Sequence, residues 1–403
     1  MNHRGARAPG SSCCDRSAGQ ARGFSLVELM IALLIGLLIT GSMISVFIAT
    51  RTASRTTSGV ASLTDGGRVA LDFLQQGIRS AGFFACNTPA RTVNLLTTGA
   101  SAVATDYLEP LGGFEALGSS PAETALASPP ASIATVSATA TSAVTPDTNI
   151  KDWTNIPTPG GTLDSMLAGL VVKGSDVLVV HTLLPQAAPN PPTVYLTAPA
   201  SAGTSTVTVS ALGGLVAGQV VLISNCAASV ATQISSISGA TVTVNPALPA
   251  SFGAGTQVGV ADTIVYFIGV DPSSHNSALF AIDLKGAIAY TNPANQLREL
   301  VPDIENMQIL YGIDGSGNLA VTEYVTADQV DKAANAGNFN GVLAVRIAVM
   351  AASPLYAQPV NGAVSTAVAN TPLLLAGTSV QPPADTRLRR VFETTVSVRN
   401  DGT

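Results

Sequence analysis

The chain has 403 residues, of which 46% are hydrophobic and only 11% charged, and its net charge is −6. An average soluble domain carries roughly 25% charged residues. Beyond the apolar N-terminal run, Lys and Arg form no extended tract, which argues against a nucleic-acid footprint. Aromatics are sparse and the apolar count rests on Ala, Val, Leu and Ile, so the chain reads as β-rich, with ample length for a core.

Residues 1–23 are polar and hold Arg4, Arg7, Arg16 and Arg22 against Asp15. Residues 24–49 then read FSLVELMIALLIGLLITGSMISVFIA, with Glu28 as the only charge, and Arg51 and Arg55 follow. About 20 apolar residues suffice to cross a bilayer as a helix. A secretory signal peptide would have an apolar core of about 7–15 residues and a small-residue cleavage site behind it. Here the run is about twice that length. A plain signal anchor explains the length but not Glu28. An acidic side chain at the membrane centre costs about 2.5–3.5 kcal/mol, less near a helix end, and such a residue calls for a partner. Cleavage between Gly23 and Phe24 would create an α-amine one helical turn away, a counter-charge that can fix register between helices.

The helix is predicted to continue beyond the membrane. Val60, Leu63, Gly67, Ala70, Leu74, Ile78 and Ala81 recur at spacings of three and four, and Gly82 is its predicted stop. A helix over 24–80 would be roughly 85 Å long. Residues 87–165 are rich in Ala, Ser, Thr, Pro and Gly and read as a surface excursion, nearly low-complexity over 119–147, with Trp153 a possible pin at its far end. From about residue 169 the signals turn to strands, over 170–172, 176–180, 206–209, 219–224, 241–244, 263–270, 278–284, 307–311, 342–350 and 391–398. Short turns such as 271–274 between them argue for antiparallel sheet, and one long helix followed by many strands is an α+β arrangement.

Chemistry-bearing motifs are missing from the sequence. It has no Walker motif, G-x-S-x-G elbow, H-E-x-x-H or C-x-x-C pair. His181 and His275 have no motif around them and read as structural or solvent-exposed. Asp314-Gly315-Ser316-Gly317-Asn318 resembles the start of a calcium loop. That loop needs Gly at its sixth position and Glu at its twelfth, where Leu319 and Val325 stand, so a hairpin turn is the better reading. Cys86 and Cys226 are the cysteines outside the leader, an even pair in a segment expected outside the cytoplasm, where disulfides persist.

Gly23-Phe24-Ser25-Leu26-Val27-Glu28-Leu29 resembles the cleavage signal of type IV prepilins. The resemblance implies cleavage after Gly23 by a membrane aspartyl prepilin peptidase, N-methylation of Phe24, and a role for Glu28 in setting filament register. The leader is longer than is usual for that family, which leaves the start codon open. The mid-helix Pro of many major pilins is missing, and Gly36 and Gly41 either loosen the helix or are ordinary membrane-helix glycines. Further segments are similar to PilW-type minor pilins: residues 78–83 with Cys86, 174–178, 306–312, 345–348 and 387–392. The low-complexity stretch is not covered by the resemblance.

The fold so implied is type IV pilin-like: leader 1–23, transmembrane helix 24–50, helix continuation 51–85, excursion 86–165 and β-rich domain 166–403. The resemblance also implies a bridge between Cys86 and Cys226, against which stand two separate buried thiols. It implies no cofactor or catalytic residue, and it leaves a carboxylate-rich calcium site elsewhere in the chain open, since related pseudopilins sometimes hold one. The expected protein is a single-pass inner-membrane subunit with a periplasmic C-terminal domain, surrounded by lipid. It would meet the prepilin peptidase, the inner-membrane assembly platform and other minor and major pilins, and enter a filament in an initiation or tip complex. A pseudopilin of a type II secretion or DNA-uptake system, or an adhesin borne on a pilin stem by the 87–165 insertion, are the alternatives.

Overall fold

A computed structural model describes residues 25–85, 91–96, 105–116, 124–125, 134–136, 153–154, 167, 170–183, 194–270, 276–287, 296–314, 318–330, 339–354, 371–382, 385 and 387–398. They form two compact units, divided between Ser54 and Arg55.

Helix α1 (Leu26–Ser80) contains no proline, carries Glu28 in its first turn and Arg79 in its last, and so suits the helix dipole at both ends. It stops where expected: Gly82 takes φ +67°, which only glycine adopts without strain, and its N–H donates to His181 O at 2.8 Å. Within the second unit the helix buries Leu63, Gly67, Ala70, Leu74 and Ile78 of the predicted stripe against the sheets, together with Leu71, which the stripe did not include, whereas Val60 of the stripe is exposed. Gly77 lies in that stripe because a Cβ there would sit 2.8 Å from the Tyr266 hydroxyl.

Short strands come first: β1 (Thr92–Asn94), β2 (Leu111–Ala116), β3 (Thr124–Ala125), β4 (Ala134–Val136) and β5 (Trp153–Thr154). Then follow β6 (Val177–Leu183), β7 (Thr206–Thr208), β8 (Val220–Ser224), β9 (Ser229–Ser238), β10 (Thr241–Asn245), β11 (Gln257–Val270), β12 (Ser277–Asp283) and β13 (Leu297–Pro302). The C-terminal part holds β14 (Ile304–Ile313), β15 (Glu323–Val325), the short helix α2 (Ala327–Val330), β16 (Val342–Ala352), β17 (Leu373–Leu375), β18 (Thr378–Val380) and β19 (Arg389–Ser397). The α+β arrangement is as expected, one long helix on a largely antiparallel β domain.

Among the described residues the largest sheet runs β5-β2-β6-β11-β8-β9-β10-β7, with β1 parallel to β9 and with β12 and then β13 beyond β11. A second sheet runs β19-β16-β14-β15-β3. Strand β11 is the hinge of the first. Residues 257–260 pair with β8, and residues 264–270 pair with β12. The first pairing belongs to a β module with its own core, built on Leu196, Val207, Ile223, Ile234, Val244, Phe252 and Val258. The second belongs to the sheet that packs on α1 through Leu178, Val180, Tyr266, Ile268 and Leu279.

The structure departs from the sequence reading in several places, and β13, β17 and β18 are among the strands it adds. Residues 105–116 do not lie on a surface excursion: β2 is buried throughout and pairs with β6, and Trp153 pairs in register with Ala116. Strand β9, ten residues of SVATQISSIS, went unpredicted because Ser and Gln occupy its outward positions. The 271–274 turn, His275 and most of 119–147 lie outside the described residues.

Candidate functional site

The first unit offers an apolar helix with no partner. Residues 25–50 are all exposed, and Leu26, Met30, Leu33, Leu37, Met43 and Phe47 stand between 55% and 76% accessible. It is the one helix among the described residues that is long and apolar enough to cross a membrane. Its hydroxyls are already satisfied within the helix. Thr40 Oγ1 donates to Gly36 O at 2.7 Å, Ser42 Oγ to Ile39 O at 2.8 Å, Ser45 Oγ to Ser42 O at 2.7 Å and Thr50 Oγ1 to Val46 O at 2.8 Å. Each bond lowers the cost of moving that hydroxyl out of water. Gly36 and Gly41 face open space. Glu28 is exposed in the first turn, and Gly23 and Phe24 lie outside the described residues.

In the second unit, two segments that read as separate weak motifs bond to one another. The 174–178 segment meets the 306–312 segment through Asp176, which is 2% exposed. Its carboxylate accepts from Ala116 N at 3.0 Å and Ile309 N at 2.8 Å, and its own N–H donates to Met307 O at 2.9 Å. Asn306 Nδ2 and Gln308 Nε2 both donate to Gly174 O at 2.9 Å. Asp176 thus ties β2, β6 and β14 together.

The C-terminal tail is held by a buried charge cluster. Arg389 Nε donates to Glu305 Oε2 at 2.5 Å, and its NH1 and NH2 groups donate to both oxygens of Asp385 at 2.7 Å. Arg387 donates to Asp303 Oδ1 and to Ser353 O, each at 2.6 Å. Burial works against the Arg389 charge, but the hydrogen bonds with Asp385 and the Glu305 carboxylate push the guanidinium above its ordinary range. Burial would likewise raise the Asp385 carboxyl, and the Arg389 and Arg387 donors hold it below its ordinary value.

The helix end joins the β module. Ser224 Oγ, at the end of β8, donates to Phe84 O at 2.9 Å, and Leu183 N donates to Phe83 O at 3.1 Å. Cys226 is disulfide-bonded, and Cys86 lies outside the described residues. His181 is buried, with Nδ1 2.9 Å from Glu109 O and its ring edge-on to Tyr107 at 5.5 Å. The Asp314 segment forms a hairpin: Tyr311 pairs with Val325, and Leu319 N donates to Asp314 Oδ2 at 2.6 Å. Among the described residues no group of three or more His, Cys, Asp or Glu could hold a metal ion.

One pair of carboxylates, Asp262 buried and Asp283 half-buried, escaped the sequence reading. Asp262 on β11 and Asp283 at the end of β12 face each other, and Asp262 Oδ2 and Asp283 Oδ1 have no hydrogen-bond donor. Burial, and then the Asp283 charge, push the Asp262 carboxyl well above its ordinary value. Alternation hid them, because each occupies an ordinary place in a strand that otherwise looks apolar.

The family model of the prokaryotic N-terminal methylation motif matches residues 19–44. Together with the exposed apolar helix of the first unit and the largely antiparallel β fold of the second, that match supports a type IV prepilin. A second family model, type IV pilus-assembly protein W, matches residues 265–400, from within β11 through the Arg387–Arg389 tail, and supports a type IV prepilin of the PilW type. No curated protein matches the chain. The two matches indicate a structural pilus-assembly subunit rather than an enzyme, whose work brings it into contact with other pilins and the assembly machinery. The motif and the helix suggest membrane anchoring.

Proposed function

We propose that this protein is a minor pilin, cleaved after Gly23 by the prepilin peptidase and N-methylated at Phe24. It then enters an initiation or tip complex of a type IV pilus. The observation that carries this reading is the fully exposed apolar helix that runs on from the methylation motif. Burying one Leu, Ile, Val, Met or Phe side chain contributes about 1.5–3 kcal/mol. A monomer in water leaves that unmade along residues 25–50. Lipid supplies the burial during storage in the inner membrane, with the β domain in the periplasm and the basic leader in the cytoplasm. A bundle of like helices supplies it in the filament. Gly36 and Gly41 leave room for close helix approach there.

Glu28 gives the transfer its register. Within an apolar bundle its carboxylate is best matched by the Phe24 amine of a neighbouring subunit, and a shift of one residue would strand both charges. A bridge between Cys86 and Cys226 would fasten the helix end to the β module. It is supported by the Ser224–Phe84 bond two residues from each cysteine. With 403 residues before cleavage and 403 − 23 = 380 after it, the subunit is bulky for a coat repeated thousands of times, which favours low copy number.

Complementation of a strain lacking this protein tests the proposal. The wild-type chain is expected to restore piliation. Glu28→Val is expected to reach the membrane at normal abundance and to fail in assembly. Full piliation by Glu28→Val, or normal piliation without the protein, would refute it.

A further inference from the structure

The 80 residues from 182 to 261 contain no Asp, Glu, Lys, Arg or His. A segment of that length with average composition would carry about 20 charges. Most of it folds into the β module, which lies outside both family matches. The inner face of the module is apolar, through Leu196, Val207, Val209, Val242 and Val244. The outward side chains of its own strands therefore present hydroxyls and methyls and no ionised group.

The register makes that face regular. Thr208 pairs with Thr241 and Thr241 with Ser238, while Thr206 pairs with Thr243 and Thr243 with Ser236. These are two parallel rows of hydroxyls, one strand spacing of about 4.8 Å between neighbours. Thr206, Thr208, Ser236 and Ser238 are exposed, and Thr241 and Thr243 half-buried. Beyond Thr208 the face is extended by residues 195–197. Leu196 bridges Val209 on the inner side, and Thr197 N donates to Thr208 O at 2.9 Å. That leaves Tyr195 outward at 45% exposure, beside the hydroxyl rows.

We propose that this outer face docks an uncharged polysaccharide. A charged partner would lose hydration with no ion to replace it. A purely apolar partner would strand the threonine and serine hydroxyls. A neutral sugar polymer avoids both costs, since its hydroxyls exchange bonds with the rows while Tyr195 stacks on a ring face. The surface so assigned lies at 194–260, not in the 87–165 stretch, and does not depend on the place of the protein in a filament.

Co-sedimentation of the detergent-solubilised full chain with cellulose, chitin and insoluble amylose tests this, with heparin resin as the polyanion control. Retention is expected on at least one neutral polymer and equal in low and high salt. Tyr195→Ala and, separately, Thr208→Lys are expected to lower it about tenfold, the scale of one central contact. Leu374→Lys, exposed in the separate β17–β18 sheet, leaves it unchanged. Thr208→Lys alters only an exposed side chain, so it remains informative if Tyr195→Ala misfolds. No retention on any neutral polymer, retention abolished by salt, or retention indifferent to both substitutions would overturn the proposal. So would a loss of retention accompanied by a smaller oligomeric size, which would make the face a contact between copies.

Discussion

Replacing Arg389 by Met tests the charge cluster that closes the β domain. The Arg389 and Glu305 side chains are 3% and 6% exposed, whereas Asp385 is 32% exposed. Removing the guanidinium therefore leaves Glu305 buried, with Arg387 NH1 at 3.3 Å as its remaining ion-pair partner. Breaking a buried pair from one side costs about 3–5 kcal/mol. Asp385 adds little to that, because solvent screens it. Replacing both partners by apolar residues removes the under-compensated Glu305 charge as well, while Arg387 keeps Asp303, and such replacements are often close to neutral. Urea unfolding of the detergent-solubilised chain, followed by near-ultraviolet circular dichroism, reads both variants. Arg389→Met should lower the unfolding free energy by about 3–5 kcal/mol, and Arg389→Met with Glu305→Leu should recover most of it. A single variant within about 0.5 kcal/mol of wild type, or a double variant as unstable as the single, would refute this account of the cluster.

Three further outcomes follow from the same geometry. The depressed Asp385 carboxyl contributes stability above its unfolded value near 3.8, and that contribution is lost as pH falls through the folded value. The stability gap between wild type and Asp385→Asn should therefore be widest above about pH 5 and close in acid, and a gap that ignores pH would contradict it. Asp262 behaves oppositely: its raised carboxyl favours the protonated fold, so stability is lost as pH rises through the folded value. Asp262→Asn should flatten that loss in a pH series of thermal unfolding, and parallel profiles would count against the reading. Gly113→Ala should destabilise by about 1–3 kcal/mol in the urea assay, since the added Cβ would collide with the buried Tyr311 hydroxyl, whereas an unchanged midpoint would mean that the ring yields freely.

The parts of the fold that were legible in the sequence are those where burial repeats with a fixed period. Leu63, Ala70, Leu74 and Ile78 announce the helix face, and the Thr-Val-Thr runs announce β7 and β10. Strand β2 was hidden because its Gly112-Gly113 pair suggests a turn. The structure gives Gly113 a different reason, the space taken by Tyr311. Strand β9 was hidden because serines fill its exposed second half, at Ser235, Ser236 and Ser238, and such a run looks like a loop. Residues 174–178 and 306–312 were each recognisable, but their bonds to one another were not, since pairs about 130 residues apart leave no local signal. The Asp262–Asp283 contact depends likewise on strand register, which periodicity alone does not give.

Of the functional residues, Glu28 was the most legible, because a lone carboxylate in an apolar helix calls for a reason. The chargeless module was equally visible as composition, yet its meaning depended on knowing which threonines share a face.

Mass spectrometry of the N-terminal peptide from membrane-extracted protein, made with and without the prepilin peptidase, tests the central claim most directly. The account predicts a peptide that begins at N-methylated Phe24 and occurs only where the peptidase is present. An intact leader in both samples, or a cut behind the apolar run, would contradict it and leave a membrane-anchored or secreted β protein in place of a filament subunit.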